Sequence, residues 1–309
     1  MATQQFRTIR FRGESRARID QMIEIIEEYQ GQGLTLTARQ LYYQFVSRDY
    51  IPNTQRSYKN LTSLLADARY AGFVDWDAIE DRGREPTIWS EYTSISECVE
   101  KAVRNFRLPR WEGQPHYVEL WVEKQALAGV LEPLAAEFHA TLMVNKGYSS
   151  ASAMYSAAQR FMERANQAES NYYDEDKSEA EPVLFYLGDH DPSGEDMVRD
   201  IGDRLKEFGV QRLEVRKLAL TMDQVRQYRP PPNPAKTTDS RFTAYEAEHG
   251  NQSWEVDALP PNVLQQIIRT AFVGVVDAAT MDTIKDREAK AKTKLRGALK
   301  KIDTDASQS

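Results

Sequence analysis

The sequence predicts a mixed α/β protein in two parts: a helical N-terminal domain over 1–110, and a domain over 111–309 built on a parallel sheet flanked by helices, with a C-terminal extension. Three observations carry this. Short apolar runs alternate with helical segments between 117 and 208, and strands so connected need crossover helices and hence a parallel sheet. Two of those runs end in carboxylates. Upstream of 110, apolar residues recur at helical spacing in three successive segments.

The chain begins with Arg7, Arg10, Arg12, Arg16 and Arg18 ahead of any packed element, a solubilising segment or an arm for DNA phosphates. Ile19, Met22, Ile23, Ile26 and Tyr29 then mark an amphipathic helix ended by Gly31 and Gly33. Thr37 can cap a second helix over 38–48, with Leu41, Tyr42, Phe45 and Val46 as its apolar face. Adjacent helical residues point about 100° apart, so Tyr42 reads as core and Tyr43 as facing outward. A Pro-containing break at 49–53 precedes a third helix over 54–71, faced by Tyr58, Leu61, Leu65 and Ala68. Three helices with such a break resemble a helix-turn-helix of the winged kind. Arg56, Lys59 and Arg69 on the third helix are the candidate DNA contacts, or else a solvated face. A polar stretch at 75–84, a linker helix at 94–107 and the connection at 108–113 lead into the second domain.

There, YVELWV at 117–122 delivers Glu123 and Lys124 directly before a helix over 125–138. TLMV at 141–144 is closed by Asn145, Lys146, Gly147 and Tyr148, then a helix over 150–165. VLFYL at 183–187 ends in Gly188, Asp189 and Asp191, before Pro192 and a helix over 193–208 capped by Ser193 or Asp191. Residues two apart on an extended chain point the same way, so both aspartates leave the strand on one side. Open α/β sheets bind ligands at the carboxyl ends of their strands. An Asp-x-Asp alone is often a turn and a cap, but Glu123 adds a third carboxylate at the same edge, and hard oxygen donors suit Mg²⁺. Beyond lie a fourth strand at 213–220, a helix at 222–228, and the proline cluster of 230–234, which leaves sheet and helix alike. Lys236, Thr237, Asp239 and Arg241 follow in a loop that faces the carboxylates or only covers them, and a basic helix spans 281–302.

The net charge of −7 argues at first against a nucleic-acid partner. The first 110 residues, however, carry 16 Lys+Arg against 15 Asp+Glu, so the acidity lies beyond them, concentrated in a surface insertion at 168–181. No apolar run approaches the ~18 residues of a membrane span, the start lacks the apolar region of a secretory signal, and Cys98 has no partner for a disulfide. The expectation is a cytoplasmic, nucleoid-associated protein.

VELWVEKQAL, NKGYSS and LGDHDPSG, in that order, resemble the Toprim domain of topoisomerases, primases and related nucleases. Within that group they are similar to the A subunit of topoisomerase VI and to its relative, the meiotic double-strand-break transesterase. ARQLYY at 38–43 resembles the Arg-x-x-Tyr-Tyr motif of that subunit, which lies in a winged-helix domain before its Toprim domain, and SWEVDAL at 253–259 is faintly similar to a Glu-x-x-Ala-Leu segment late in the family. The motifs cover most of 34–220, separately. The resemblance implies a stand-alone DNA-cleaving transesterase of the type IIB topoisomerase A-subunit kind. Tyr43 would be the attacking phenol, with Arg39 beside it, and Glu123, Asp189 and Asp191 would hold Mg²⁺. The substrate would be double-stranded DNA, cut by a homodimer in which the tyrosine of one subunit works with the metal site of the other. No Gly-x-x-x-x-Gly-Lys-Ser/Thr loop is present, so an ATPase would be a separate B-type subunit. Two alternatives stand beside it: a hydrolytic nuclease using the same carboxylates with Tyr43 structural, and a DNA-binding module without cleavage.

Overall fold

The computed structural model describes residues 3, 5–80, 89–167 and 180–306. Most of the predicted acidic insertion lies outside the described residues, as do residues 81–84 of the polar stretch.

The N-terminal unit comprises α1 (Glu14–Gly31), β1 (Leu36–Thr37), α2 (Ala38–Ser47), α3 (Gln55–Tyr70) and β2 (Ile79–Glu80). Local chemistry starts each helix. Thr37 and Gln40 form a reciprocal capping box at α2, and the Thr54 hydroxyl accepts from Ser57 N–H at 3.1 Å at the start of α3. The helices bury Ile19, Met22, Leu41, Phe45, Leu61 and Leu65 against one another in a single core. The two short strands pair in parallel. The arginine-rich start is not wholly free of packed structure, because Arg16 and Arg18 lie inside α1. Phe6 and Arg7 N–H both donate to Tyr70 O, and the Arg7 guanidinium stacks 4.0 Å over the Tyr70 ring.

After α4 (Ile95–Asn105) come β3 (His116–Val122), α5 (Ala128–Phe138), β4 (Thr141–Val144), α6 (Ala151–Gln167), β5 (Glu181–Leu187), α7 (Pro192–Glu207) and β6 (Glu214–Ala219). The four strands β3 to β6 form one parallel sheet in the order β4-β3-β5-β6. Glu181, assigned by sequence to the insertion, is the first residue of β5. The fold is therefore mixed α/β, with a parallel sheet flanked by helices. One sheet face, with Val118, Leu120, Val183 and Phe185, packs on α5 and on α10 (Pro261–Val273); the other, with Trp121, Leu184 and Tyr186, packs on α6 and α7. Glu119 lies fully buried in mid-strand, where Tyr117, Trp121 and Arg160 satisfy it with four donors between 2.8 and 3.1 Å.

α8 (Met222–Tyr228) leads into the proline cluster, which leaves the parallel sheet but ends in a short strand of its own: β7 (Asn233–Pro234) pairs antiparallel with β8 (Gln252–Ser253), beyond α9 (Phe242–His249), as a separate two-stranded sheet. α11 (Ala278–Ala306) closes the chain and packs against α4. Its buried Glu288 accepts from Leu108 N–H, Arg110 and Lys292, tying the segment after α4 to the C-terminal helix. Among the described residues no helix is long and apolar enough to cross a membrane.

Candidate active site at the carboxyl edge of the sheet

The LGDHDPSG segment turns from β5 into α7 in a shape its residue types dictate. The Asp191 carboxylate caps α7, with Oδ1 accepting from Gly194 N–H at 2.6 Å and from the Ser193 hydroxyl at 2.9 Å; the cap is thus Asp191 and not Ser193. Pro192 supplies the preset φ of the first helical turn. Gly194 is required because a Cβ there would overlap Asp189 O. Gly188 is required because a Cβ there would lie 2.6–2.8 Å from the Tyr186 phenol.

Glu123, at the end of β3, meets this turn, and Asp189 N–H donates to its Oε2 at 3.1 Å. Asp189 Oδ1 accepts from Val256 N–H at 2.9 Å and lies 2.9 Å from Lys124 Nζ. Lys124 also reaches Glu255 at 2.7 Å and Asp257 at 2.9 Å, so one ammonium serves three carboxylates. The predicted convergence of Glu123, Asp189 and Asp191 is incomplete. Among the described residues no three acidic, histidine or cysteine side chains form a ready-made metal cage. One oxygen of each carboxylate is already committed: Glu123 to the Asp189 amide, Asp189 to Lys124 and Val256, and Asp191 to the cap.

What remains still fits a hydrated cation. No hydrogen bond within the described residues engages Glu123 Oε1, Asp189 Oδ2 or Asp191 Oδ2, and the buried Tyr186 hydroxyl beside them is unpartnered. Mg²⁺ is commonly held by one or two carboxylates with several waters retained. Charge points the same way: Lys124 pairs with Asp189, Glu255 and Asp257 and Arg39 with Glu255 and Asp257, while among the described residues no ion pair reaches Glu123 or Asp191. Lys124 cannot hold all its partners down: burial, with Glu123 and Asp257 nearby, pushes Asp189 up to about 7 despite the ammonium. Burial alone would also raise Glu255, but Lys124 and Arg39 outweigh it and bring Glu255 down to about 2.

The N-terminal unit joins this network through α2. Arg39 and Tyr43, four residues apart, share a helix face, and Arg39 Nη2 donates to the Tyr43 hydroxyl at 3.3 Å. The same guanidinium pairs with Glu255 and lies 3.0 Å from Asp257 Oδ2. Tyr42 arrives by a second route: its hydroxyl donates to Asn53 Oδ1 at 2.8 Å, Asn53 Nδ2 donates to Asn233 Oδ1 at 3.0 Å, and Asn233 Nδ2 donates to Glu255 Oε1 at 3.2 Å. Ala258 packs inside the N-terminal core, which anchors the 255–258 segment between the two units.

Tyr43 does not face outward as its helical register predicts; it is 3% exposed, against 4% for Tyr42. The 255–258 segment, remote in sequence, covers the side of α2 that a lone helix would expose. Burial, with Asp257 and Glu255 next to it, pushes the Tyr43 phenol well above the usual tyrosine range, and Arg39 only partly offsets this. Arg56 and Lys59 are exposed on α3, whereas Arg69 is turned inward, bonded to Trp76 O and stacked 4.5 Å over the Trp76 ring. Of the loop after the prolines, Arg241 pairs with Asp196 on α7 and with Asp239. Lys124, Glu255 and Asp257 were not among the predicted site residues. The alternating carboxylates of SWEVDAL are the signal that could have found the last two. Compared with protein-family models and with curated proteins, the chain matches none of them.

Proposed function

We propose that the protein is a Mg²⁺-dependent DNA-cleaving transesterase of the topoisomerase VI A-subunit kind, with a Toprim-type sheet domain and a winged-helix reader at its N-terminus. The observation that carries this reading is the continuous polar network from the Tyr43 hydroxyl through Arg39, Glu255 and Lys124 to Asp189. Glu123, Asp189 and Asp191 would hold Mg²⁺, which when bound supplies positive charge against the negative charge developing on a phosphate. Tyr43 oxygen forms the new bond to phosphorus and the bond to the 3′ oxygen breaks, leaving the 5′ end on the tyrosine. The phenol proton passes to water and the leaving 3′ oxygen takes one up. Arg39 carries a fixed charge, so once freed from Glu255 it can lie against the same phosphate.

In the closed arrangement the phenol is buried and held protonated, so cleavage requires α2 to come away from Glu255 and Asp257. Tyr43 so exposed would serve the carboxylates of a second copy in a homodimer, on double-stranded DNA held by Arg56 and Lys59. A B-type ATPase subunit would drive any strand passage, and a cytoplasmic, nucleoid-associated location follows from the substrate. The burial of both tyrosines favours a second reading, hydrolysis by water at the same carboxylates. Incubation with plasmid and Mg²⁺ followed by denaturation separates the two. Protein covalently attached to 5′ ends is the expected result; cut DNA without an adduct leaves the hydrolytic nuclease, and uncut DNA overturns both.

A further inference from the structure

Among the described residues, Asn145 and Tyr186 at the carboxyl edge of the sheet carry buried polar side-chain atoms without a hydrogen-bond partner. Asn145 stands one residue past β4, where its N–H donates to Val122 O at 2.8 Å and the next N–H, of Lys146, donates to Glu123 O at 2.9 Å. The β3–β4 register therefore extends to set Asn145 level with Glu123. Asn145 is 7% exposed, and both its Oδ1 and its Nδ2 are buried without a hydrogen bond. Tyr186, on β5, is fully buried with an unpartnered hydroxyl. Its Cε1, Cζ and Oη lie over Gly188, so the phenol runs along the strand toward the turn that carries Asp189. Gly188 in turn is level with Glu123 in the β3–β5 register, and Glu123 N–H donates to Leu187 O at 2.8 Å. Across the sheet the row reads Asn145, Glu123, Gly188, with orphaned polar atoms on either side of the glutamate.

Buried donors and acceptors without partners are costly and uncommon in folded proteins. Three such atoms flanking one carboxylate call for a common cause. A hydrated divalent cation supplies one, because its waters are strong donors that need a second layer of protein groups to orient them. Resting on the metal reading given above, we infer that Asn145 and Tyr186 are positioning residues of the cation site, the amide and the phenol each holding water bound to a divalent ion at Glu123, Asp189 and Asp191.

The test uses the full chain and two readouts apart from cleavage: the rise in melting temperature on adding Mg²⁺, and Mn²⁺ affinity by calorimetry. Tyr186→Phe and Asn145→Leu remove the orphaned atoms at nearly constant volume. Without metal both should melt at or above the unmodified protein. With metal both should lose most of the Mg²⁺-induced rise and bind Mn²⁺ about 10-fold or more weakly. Asn145→Asp, which keeps an oxygen at that position, should retain the rise. An unchanged rise and affinity in both variants would overturn the inference while leaving the carboxylate site standing. So would a large loss of melting temperature without metal, since it would mean that these groups have partners within the fold. No metal-induced rise in the unmodified protein, or an undiminished one in Asp189→Asn, would instead remove the metal reading on which the inference rests.

Discussion

Tyr42 and Tyr43 are neighbours on α2 with ring centroids 5.4 Å apart, yet their hydroxyls are held differently. The single Tyr42 proton has two acceptors in reach, Asn53 Oδ1 at 2.8 Å and Thr54 O at 3.2 Å, while Tyr43 accepts the long bond from Arg39 at 3.3 Å and has the Glu255 carboxylate beside it. Tyr43→Phe should therefore cost about 1 kcal/mol of stability or less. If the phenol is the nucleophile, that change abolishes both DNA cleavage and the covalent adduct while DNA binding persists. Tyr42→Phe should keep most of the activity and lose somewhat more stability, about 1–2 kcal/mol, because it strands the Asn53 acceptor. Continued cutting by Tyr43→Phe, measured on plasmid, would leave hydrolysis as the chemistry; loss in Tyr42→Phe alone would move the nucleophile one residue back. Glu255 offers a test by pH. Its folded value of about 2 lies below the ordinary ~4.3, so its contribution is fully present above that value and is lost as pH falls from there toward 2. The stability gap between the unmodified protein and Glu255→Gln, from denaturant unfolding, should be wide at neutral pH and narrow steadily below about pH 4. A gap independent of pH would mean that the carboxylate charge is not what joins Arg39 to Lys124.

At the level of elements, the start of α7 carries two tasks on one side chain. Asp191 caps the helix with Oδ1 and leaves Oδ2 without a hydrogen bond within the described residues. Asparagine caps as well as aspartate, so Asp191→Asn should keep stability within about 0.5 kcal/mol, whereas Asp191→Ala should lose about 1 kcal/mol. Mg²⁺-dependent cleavage should fall in both, since neither keeps the second oxygen or the charge. Thermal melts paired with cleavage assays read the two effects separately. If Asp191→Asn cuts DNA at the unmodified rate, the residue is a cap and nothing more. The third helix divides in the same manner: Arg56 and Lys59 point into solvent, while Arg69 is spent on Trp76.

For the whole molecule the proposed DNA partner has to be reconciled with a net charge of −7. Each neutralised phosphate should contribute a slope of roughly −0.9 in the log of affinity against the log of salt. In the full chain, Arg56→Ala and Lys59→Ala should each reduce that slope by about 1 and weaken binding across all sequences alike. Arg69→Ala should leave the slope unchanged and lower the melting temperature, because it removes a stacked structural contact. Salt-independent binding, read by fluorescence anisotropy, would sink the DNA-reader assignment. The two units also share a boundary that is ionic at its centre, where Arg39 and Lys124 meet Glu255 and Asp257, and apolar at Ala258.

The parallel sheet, its crossover helices and the helical N-terminal unit were legible in the sequence, because apolar period and turn residues act over a few positions and are set by backbone geometry. So were the strand-end positions of Glu123, Asp189 and Asp191, since a strand that runs into Gly188 and Pro192 has few places to stop. The capping choice at Asp191 was left open because two oxygens compete for one amide, and only the packed turn resolves it. The direction of Tyr43, the inward turn of Arg69 and the roles of Lys124, Glu255 and Asp257 lay beyond local pattern. Each depends on a contact between residues far apart in the chain: Arg39 and Glu255 are 216 positions apart, and Lys124 and Asp257 133. Which face of a helix is covered, and which charges meet, is decided when separately formed elements exclude water from the same space. The chain alone determined what stands at the carboxyl edge of the sheet; tertiary packing decided what covers it, because burial and ion pairing are properties of the assembled surface and not of any one segment.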